Sequence, residues 1–252
     1  PLTIIMKKSD AIPMATSAGL DTVAVRMPSH PVARQIIAAS GLPLAAPSAN
    51  LSGLPSPTTA QHTFQDMKGR IPLIVDGGPC EVGVESTVIT VAGETPTLLR
   101  PGYITREQLQ EALGRRVALS SAILNKLAEG EVAASPGMKY KHYAPKAKAI
   151  IFSGAPEHVI AAICKRYDEQ TAKGERVAIL GLDEHHYGGR TFLSLGSEKR
   201  PQEAAARLFA ALRELDERGD TVALCEAVDT AGIGLAVMNR MGRAAAFDIE
   251  QV

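Results

Sequence analysis

Pro43-Leu44-Ala45-Ala46-Pro47-Ser48-Ala49-Asn50-Leu51-Ser52-Gly53-Leu54-Pro55-Ser56-Pro57 is the stretch from which the fold reads outward. Leu44, Ala45 and Ala46 form a short apolar run suited to a buried strand. Pro47, Pro55 and Pro57 then restrict a loop rich in side-chain donors, with Ser48, Asn50, Ser52 and Ser56. Strand and helix patterns alternate on both sides of this turn, which predicts an α/β protein. No Asp or Glu occurs between Asp21 and Asp66, whereas Arg26, His30, Arg34 and His62 lie in that interval. A cavity built from it offers donors and positive charge to an anion without a competing carboxylate. Prolines and serines also build ordinary surface loops, and composition alone does not separate the two.

Upstream, residues 2–7 read as a strand, 11–19 as a connection, and 22–27 as a second strand with Val23 and Val25 on one face. Alternation puts Thr22, Ala24 and Arg26 on the other face, so Arg26 meets either a cavity that needs a cation or solvent. His30-Pro31 opens a helix with Val32, Ile36 and Ile37 at helical spacing, Gly41 ends it, and 42–46 continues as a strand. Without a second His or Cys nearby, His30 reads as a cap or packing residue rather than a metal ligand.

Downstream, 58–67 predicts a short helix and 71–75 a β-branched strand stopped by Asp76-Gly77-Gly78-Pro79. Residues 82–90 alternate, with Gly83 permitting a close backbone approach and Ser86 serving as a sheet hydroxyl or a ligand contact. Arg100 heads the turn Leu99-Arg100-Pro101-Gly102 in a second acid-free interval, between Glu94 and Glu107. Thr105 and Gln108 predict a capping box for a helix over 106–113.

The character changes at Val132. No carboxylate separates Glu131 from Glu157, and the segment carries Lys139, Lys141, Lys146 and Lys148 beside Tyr140 and Tyr143. It reads as an interdomain linker able to grip a ligand, or as a basic surface strap. Beyond it, strands at 149–152, 176–180, 191–195 and 221–225 alternate with helices at 156–173, 201–218 and from Gly234 on, which predicts a small parallel α/β layer. Gly181 and Gly188-Gly189 do not make a dinucleotide loop, and 231–236 reads as a glycine-softened turn at a helix start.

With 252 residues, 45% hydrophobic and 21% charged, the chain has room for one large domain or two ordinary ones. Its 27 basic and 27 acidic side chains cancel, so attraction for phosphate must be local. Cys80, Cys164 and Cys225 show no paired spacing and read as small core hydrophobes in a reducing compartment. No window is long and apolar enough to span a bilayer and no leader pattern opens the chain, so a cytoplasmic location is expected. The chain opens directly on a strand pattern at Pro1, which leads us to expect that an N-terminal portion of the natural protein lies outside it.

No nucleophile with its base and no carboxylate pair emerges. The residues suit the positioning of anionic reactants by hydroxyls, backbone amides and arginines, as in phosphoryl or nucleotidyl transfer. Pro1-Leu2-Thr3, residues 22–26 with Pro28 and His30, Ala46-Pro47-Ser48-Ala49-Asn50-Leu51-Ser52-Gly53, Val84-Glu85-Ser86-Thr87-Val88 and Leu99-Arg100-Pro101-Gly102 together resemble the YrdC-like family. The linker Ser135-Pro136-Gly137-Met138-Lys139-Tyr140-Lys141-His142-Tyr143-Ala144-Pro145 and the α/β tail resemble its long form, the threonylcarbamoyl-AMP synthases of tRNA modification.

That resemblance implies a YrdC-like twisted open-sheet catalytic domain over 1–132, a linker or lid over 133–146, and a Rossmann-like α/β domain over 147–252. It implies the joining of L-threonine, bicarbonate and ATP into L-threonylcarbamoyl-adenylate with release of pyrophosphate, feeding the t6A modification of tRNA position 37. The matching positions assign Thr22, Ser48, Ser56, Arg100 and Asn50 to ATP, and Arg26, the Ala46 backbone and Ser86 to L-threonine. Tyr140, His142 and Tyr143 are assigned to a lid closing over the adenylate. Mg²⁺ would arrive with ATP, held by phosphates and water with no metal ligand from protein side chains. The family's Lys-x-Arg motif lies upstream of the strand at Pro1, so the natural full-length protein is expected to be active and this chain inactive or nearly so. Other readings of the same residues are an RNA-binding module or the carbamoyl-transfer domain of a larger maturation enzyme. The few aromatic residues and zero formal charge weigh against RNA, and the sequence leaves a monomer or a dimer open.

Overall fold

The computed structural model describes residues 1–123 and 143–252. In chain order the elements are β1 (Leu2–Lys7), β2 (Thr22–Arg26), α1 (Pro31–Ser40), α2 (Ala60–Met67), β3 (Thr87–Thr90), β4 (Thr97–Arg100), α3 (Arg106–Leu113) and β5 (Ala118–Leu119). There follow β6 (Lys148–Ser153), α4 (Pro156–Ala172), β7 (Val177–Gly181), β8 (Phe192–Ser194), α5 (Pro201–Arg218), β9 (Val222–Glu226), α6 (Gly234–Ala244) and β10 (Ile249–Gln251). Contacts group them into two compact units, Pro1–Pro47 with Glu85–Pro136 and Ser48–Val84 with Gly137–Val252. The division into 1–132, 133–146 and 147–252 is linear; the contacts instead join the segment that follows Pro47 to the C-terminal unit.

In the first unit a mixed sheet runs in the order β2-β1-β3-β4-β5. β1 lies antiparallel to β2 and parallel to β3, with Thr3 opposite both Arg26 and Val88. β-branched residues fill β1 and β3 because their stiff side chains suit a pleated surface. Val88, Ile89, Leu98, Leu109 and Val117 form the buried centre. α3 begins with the expected capping box, Thr105 accepting from the Gln108 amide while the Gln108 side chain accepts from the Thr105 amide. α1 opens at Pro31; His30 occupies its cap position without a side-chain cap bond.

Two expected strands do not form. Residues 42–46 and 71–75 carry no strand pairing, and Leu42, Leu44, Leu73 and Val75 are exposed. Propensity marks a segment as able to pair, but a strand needs a neighbour. Pro43 and Pro72 each remove a ladder donor, and no described strand aligns beside either segment.

The second unit contains a sheet in the order β10-β6-β9-β7-β8 in which every pairing is parallel. Period-two alternation sorts its residues onto two faces. Ile150, Phe152, Ile179 and Leu224 pack with Val159 and Ile163 of α4. Ile151, Leu180, Ala223 and Cys225 pack with Leu208, Leu212 and Phe209 of α5 and with Ala236, Val237 and Met241 of α6. This is the Rossmann-like layer expected of the tail, with α5 beginning and ending where the sequence places it. β10 is an addition: Ile249-Glu250-Gln251 is too polar to signal a strand and pairs only at the edge, with β6. The buried Glu226 at the end of β9 accepts from the Leu182 amide and the Tyr187 hydroxyl and meets His185 Nδ1 at 2.5 Å. Burial, reinforced by that carboxylate, pushes the Tyr187 hydroxyl well above its usual range.

Candidate functional site

The first unit assembles four of its candidate groups on one face of its sheet. Register sets Arg26 of β2 opposite Thr3 of β1, Thr3 beside Val88 of β3, and Val88 opposite Arg100 of β4. Directly opposed residues share a face, as do residues two apart, so Ser86, two before Val88, joins the row. The bonds agree: the Thr3 and Ser86 hydroxyls meet at 2.7 Å, and Arg100 donates from Nε to the Ser86 carbonyl at 3.1 Å and from Nη2 to its hydroxyl at 3.2 Å. Ser86 is buried, whereas Arg26 is exposed and its side chain makes no hydrogen bond or ion pair among the described residues. Thr22 lies on the Arg26 face, about 13 Å along the strand from it. Ala46 lies in the exposed, unpaired segment 42–46.

Close approach makes this corner possible. A Cβ on Gly102 would stand 2.5 Å from the Thr87 amide and 2.8 Å from the Glu85 carbonyl, so the turn after Arg100 can lie against the Ser86 backbone only as glycine. The Thr87 hydroxyl then ties the turn down through the Ile104 carbonyl at 2.7 Å.

The second unit holds the loop of Ser48, Asn50 and Ser56. Asn50 Nδ2 donates to the Leu51 and Leu54 carbonyls, closing the loop on itself, and Ser56 is buried. α2 follows, capped by Thr59, whose hydroxyl accepts from the His62 amide. A cleft of about 350 Å³ lies beside it, lined by Ala49, Pro57, Thr58, Thr59, Thr63 and the unpaired segment through Val75.

Thr58 donates its backbone N–H to His62 Nδ1 at 3.2 Å, which requires that nitrogen to be unprotonated. Burial, reinforced by the nearby Arg213 cation and opposed by Glu217 and Asp66, lowers the His62 pKa from 6.5. The unfolded chain therefore takes up the proton more readily, and His62 contributes its stability fully above pH 6.5 and loses it as pH falls from there through the lowered folded value. His62→Gln, which retains an acceptor, is expected to lose less stability than the wild type between pH 7.5 and pH 5.5 in urea titrations. Equal losses would show that His62 titrates as an ordinary surface histidine.

Of the three residues expected in a lid, Tyr140 and His142 lie outside the described residues. Tyr143 is buried in the core of the second unit, its ring 5.1 Å from that of Phe209 and 5.9 Å from the Arg240 guanidinium carbon. This is a structural seat for the end of the linker. Cys225 is buried, but Cys80 is exposed and Cys164 only half-buried, so the reading of all three cysteines as core residues fails at Cys80, beside the unpaired segment. Thr3 was no candidate in the sequence, because its role depends on which strands become neighbours. Among the described residues no group of three or more His, Cys, Asp or Glu could hold a metal ion. No helix among them is long and apolar enough to cross a membrane.

Comparison with known proteins matches both regions of the chain. A family model described as threonylcarbamoyl-AMP synthase, C-terminal domain, matches residues 104–246, and one described as telomere recombination matches residues 1–102. A threonylcarbamoyl-AMP synthase of Pyrococcus abyssi is 41% identical, the alignment covering 100% of this chain and 72% of that protein. The protein of that name from Bacillus subtilis is 44% identical, over 97% of this chain and 69% of its own length. A crystal structure of the P. abyssi protein complexed with L-threonine is similar with a TM-score of 0.92, covering 100% of this chain and 72% of that one. A guanidinium-flanked row of hydroxyls, a parallel α/β tail and likenesses that run along nearly all of this chain agree, and the chain belongs to the threonylcarbamoyl-AMP synthase family.

Proposed function

We propose that the protein condenses L-threonine, bicarbonate and ATP into L-threonylcarbamoyl-adenylate and releases pyrophosphate and water. The observation that carries this reading is the row Arg26–Thr3–Ser86–Arg100, which presents two guanidiniums and two hydroxyls along one sheet face. Such a set suits the carboxylate and hydroxyl of an amino acid and the oxygens of a phosphate. Arg26, Ser86 and the Ala46 backbone take threonine; Thr22, Ser48, Asn50, Ser56 and Arg100 take the nucleotide.

None of these residues is a nucleophile. The threonine amine attacks the carbon of bicarbonate and gives up a proton as water leaves, forming a carbamate; a carbamate oxygen then attacks the α-phosphorus of ATP, and pyrophosphate leaves. The protein aligns the two anionic reactants and meets charge that grows on the phosphoryl oxygens. Mg²⁺ arriving with ATP would neutralise charge on the phosphates and would be held by phosphate oxygens and water. The linker, with Tyr143 as its fixed end, closes over the adenylate and keeps water from a labile mixed anhydride. The product passes to the machinery that transfers threonylcarbamoyl to tRNA in the cytoplasm, with which an RNA contact is compatible, whether the protein acts as a monomer or a dimer.

Pyrophosphate release by the natural protein tests this. It is expected to require ATP, bicarbonate and L-threonine together. Release that continues undiminished without threonine would reject the reading.

A further inference from the structure

We propose that Arg213 of α5 and Asp66 of α2 are positioning residues for the nucleotide: from the helix layer of the C-terminal unit they set the loop that carries Asn50 and Ser56. The proposal rests on the reading of that loop as nucleotide-binding.

Both side chains are buried, at 8% exposure for Arg213 and 6% for Asp66. Arg213 grips Asp66 with two parallel bonds, Nη1 to Oδ1 at 3.1 Å and Nη2 to Oδ2 at 2.7 Å. The same Nη2 donates to the Pro55 carbonyl at 2.6 Å, and the same Oδ2 accepts from the Leu51 amide at 3.3 Å. One ion pair therefore holds the loop at two points, one residue after Asn50 and one residue before Ser56. Between them the Gly53 carbonyl accepts from the amide of Ala144, next to the seated Tyr143. The loop is pinned from α5, from α2 and from the end of the linker.

Stability alone does not account for the arrangement. Burying two charges costs desolvation that their attraction recovers only in part, and a well-packed apolar pair would hold α2 against α5 as well or better. An apolar pair has no donor for the Pro55 carbonyl and no acceptor for the Leu51 amide. The ion pair adds a fixed loop geometry, and groups that align reactants are sensitive to displacements of an ångström.

Arg213→Met, Asp66→Leu and the double variant, made in the natural protein, separate these roles. The readouts are pyrophosphate release against ATP and against threonine, ATP affinity by calorimetry, melting temperature, and hydrogen exchange at the Leu51 amide. Each single variant is expected to raise the KM and Kd for ATP about 10-fold or more, leave the threonine KM within about 2-fold, and speed Leu51 exchange by about 10-fold. The double variant is expected to regain the wild-type melting temperature while ATP binding stays weak and exchange fast. A double variant that regains ATP affinity along with its melting temperature overturns the proposal, since packing alone would then suffice. Unchanged ATP affinity in a single variant whose Leu51 exchange has risen overturns it as well. If the wild type binds ATP but shows no threonine-dependent release, the synthase reading fails separately, because calorimetry and exchange report the loop's part in ATP binding without turnover.

Discussion

Arg26→Ala is expected to lower kcat/KM for L-threonine by about 10²- to 10³-fold while leaving the KM for ATP nearly unchanged, which at 1.4 kcal/mol per factor of ten is about 3 to 4 kcal/mol. Arg26 lies at the edge of its sheet, opposite Thr3, exposed and with no side-chain hydrogen bond or ion pair among the described residues. Removing its side chain breaks no hydrogen bond or ion pair among the described residues, so the loss belongs to the ligand. A guanidinium matches a carboxylate with two parallel N–H donors, whereas an ammonium is a point charge, so Arg26→Lys should recover only part of the loss. Steady-state kinetics with each substrate varied in turn decides it. A fall in ATP affinity with the threonine KM unmoved would place Arg26 against the nucleotide instead. The melting temperature should stay within a degree or two of the wild type, which separates this result from unfolding.

What sequence could supply here depended on how local each signal is. Pro31, Pro156 and Pro201 each open a helix, and Gly41, Gly114 and Gly219 each end one in a left-handed conformation. Those signals lie within a turn of the residues they control. The capping box at Thr105 is of the same kind. The segments 42–46 and 71–75 show the converse, because an apolar run, β-branched or not, signals a capacity for burial and says nothing about the strand that must lie beside it.

The site divides along the same line. Among the candidate residues, Arg26, Ser86 and Arg100 stand out in the sequence because they sit in short motifs, and Ser56 because prolines frame it. Thr3 joins them only through sheet register, which places residues 83 apart within 2.7 Å. Arg213 and Asp66 are 147 residues apart, each on a helix where a charged residue ordinarily faces water. No local pattern marks a buried ion pair, and the grouping of Ser48–Val84 with the C-terminal unit is likewise a property of contacts rather than of spacing.

Gly83→Ala is expected to destabilise the second unit by about 3 kcal/mol or more, two parts of one cause adding together. Its φ of +72° lies in the left-handed region, where a side chain costs about 1 kcal/mol. A Cβ there would also stand 2.4 Å from the Ala205 carbonyl oxygen and 2.5 Å from the Ala206 Cα, both backbone atoms of α5 that cannot swing aside. Val82 and Val84 on either side pack into the core formed with α5 and α6, so the glycine lets this stretch lie directly on the helix. Gly219, at the end of α5 in the same unit, supplies the control: its φ is +70°, but nothing lies within 4 Å of an added Cβ. Gly219→Ala should therefore cost only the conformational part, about 1 kcal/mol. The difference between the two urea midpoints, at unchanged slope, measures the close approach alone. Because Gly83 and the loop of Ser48, Asn50 and Ser56 share the segment Ser48–Val84, lifting it from α5 also predicts weaker ATP binding for Gly83→Ala, with Gly219→Ala binding as the wild type does. Equal destabilisation by the two substitutions would mean that α5 yields to the extra carbon, and that the contact at Gly83 does not anchor the loop.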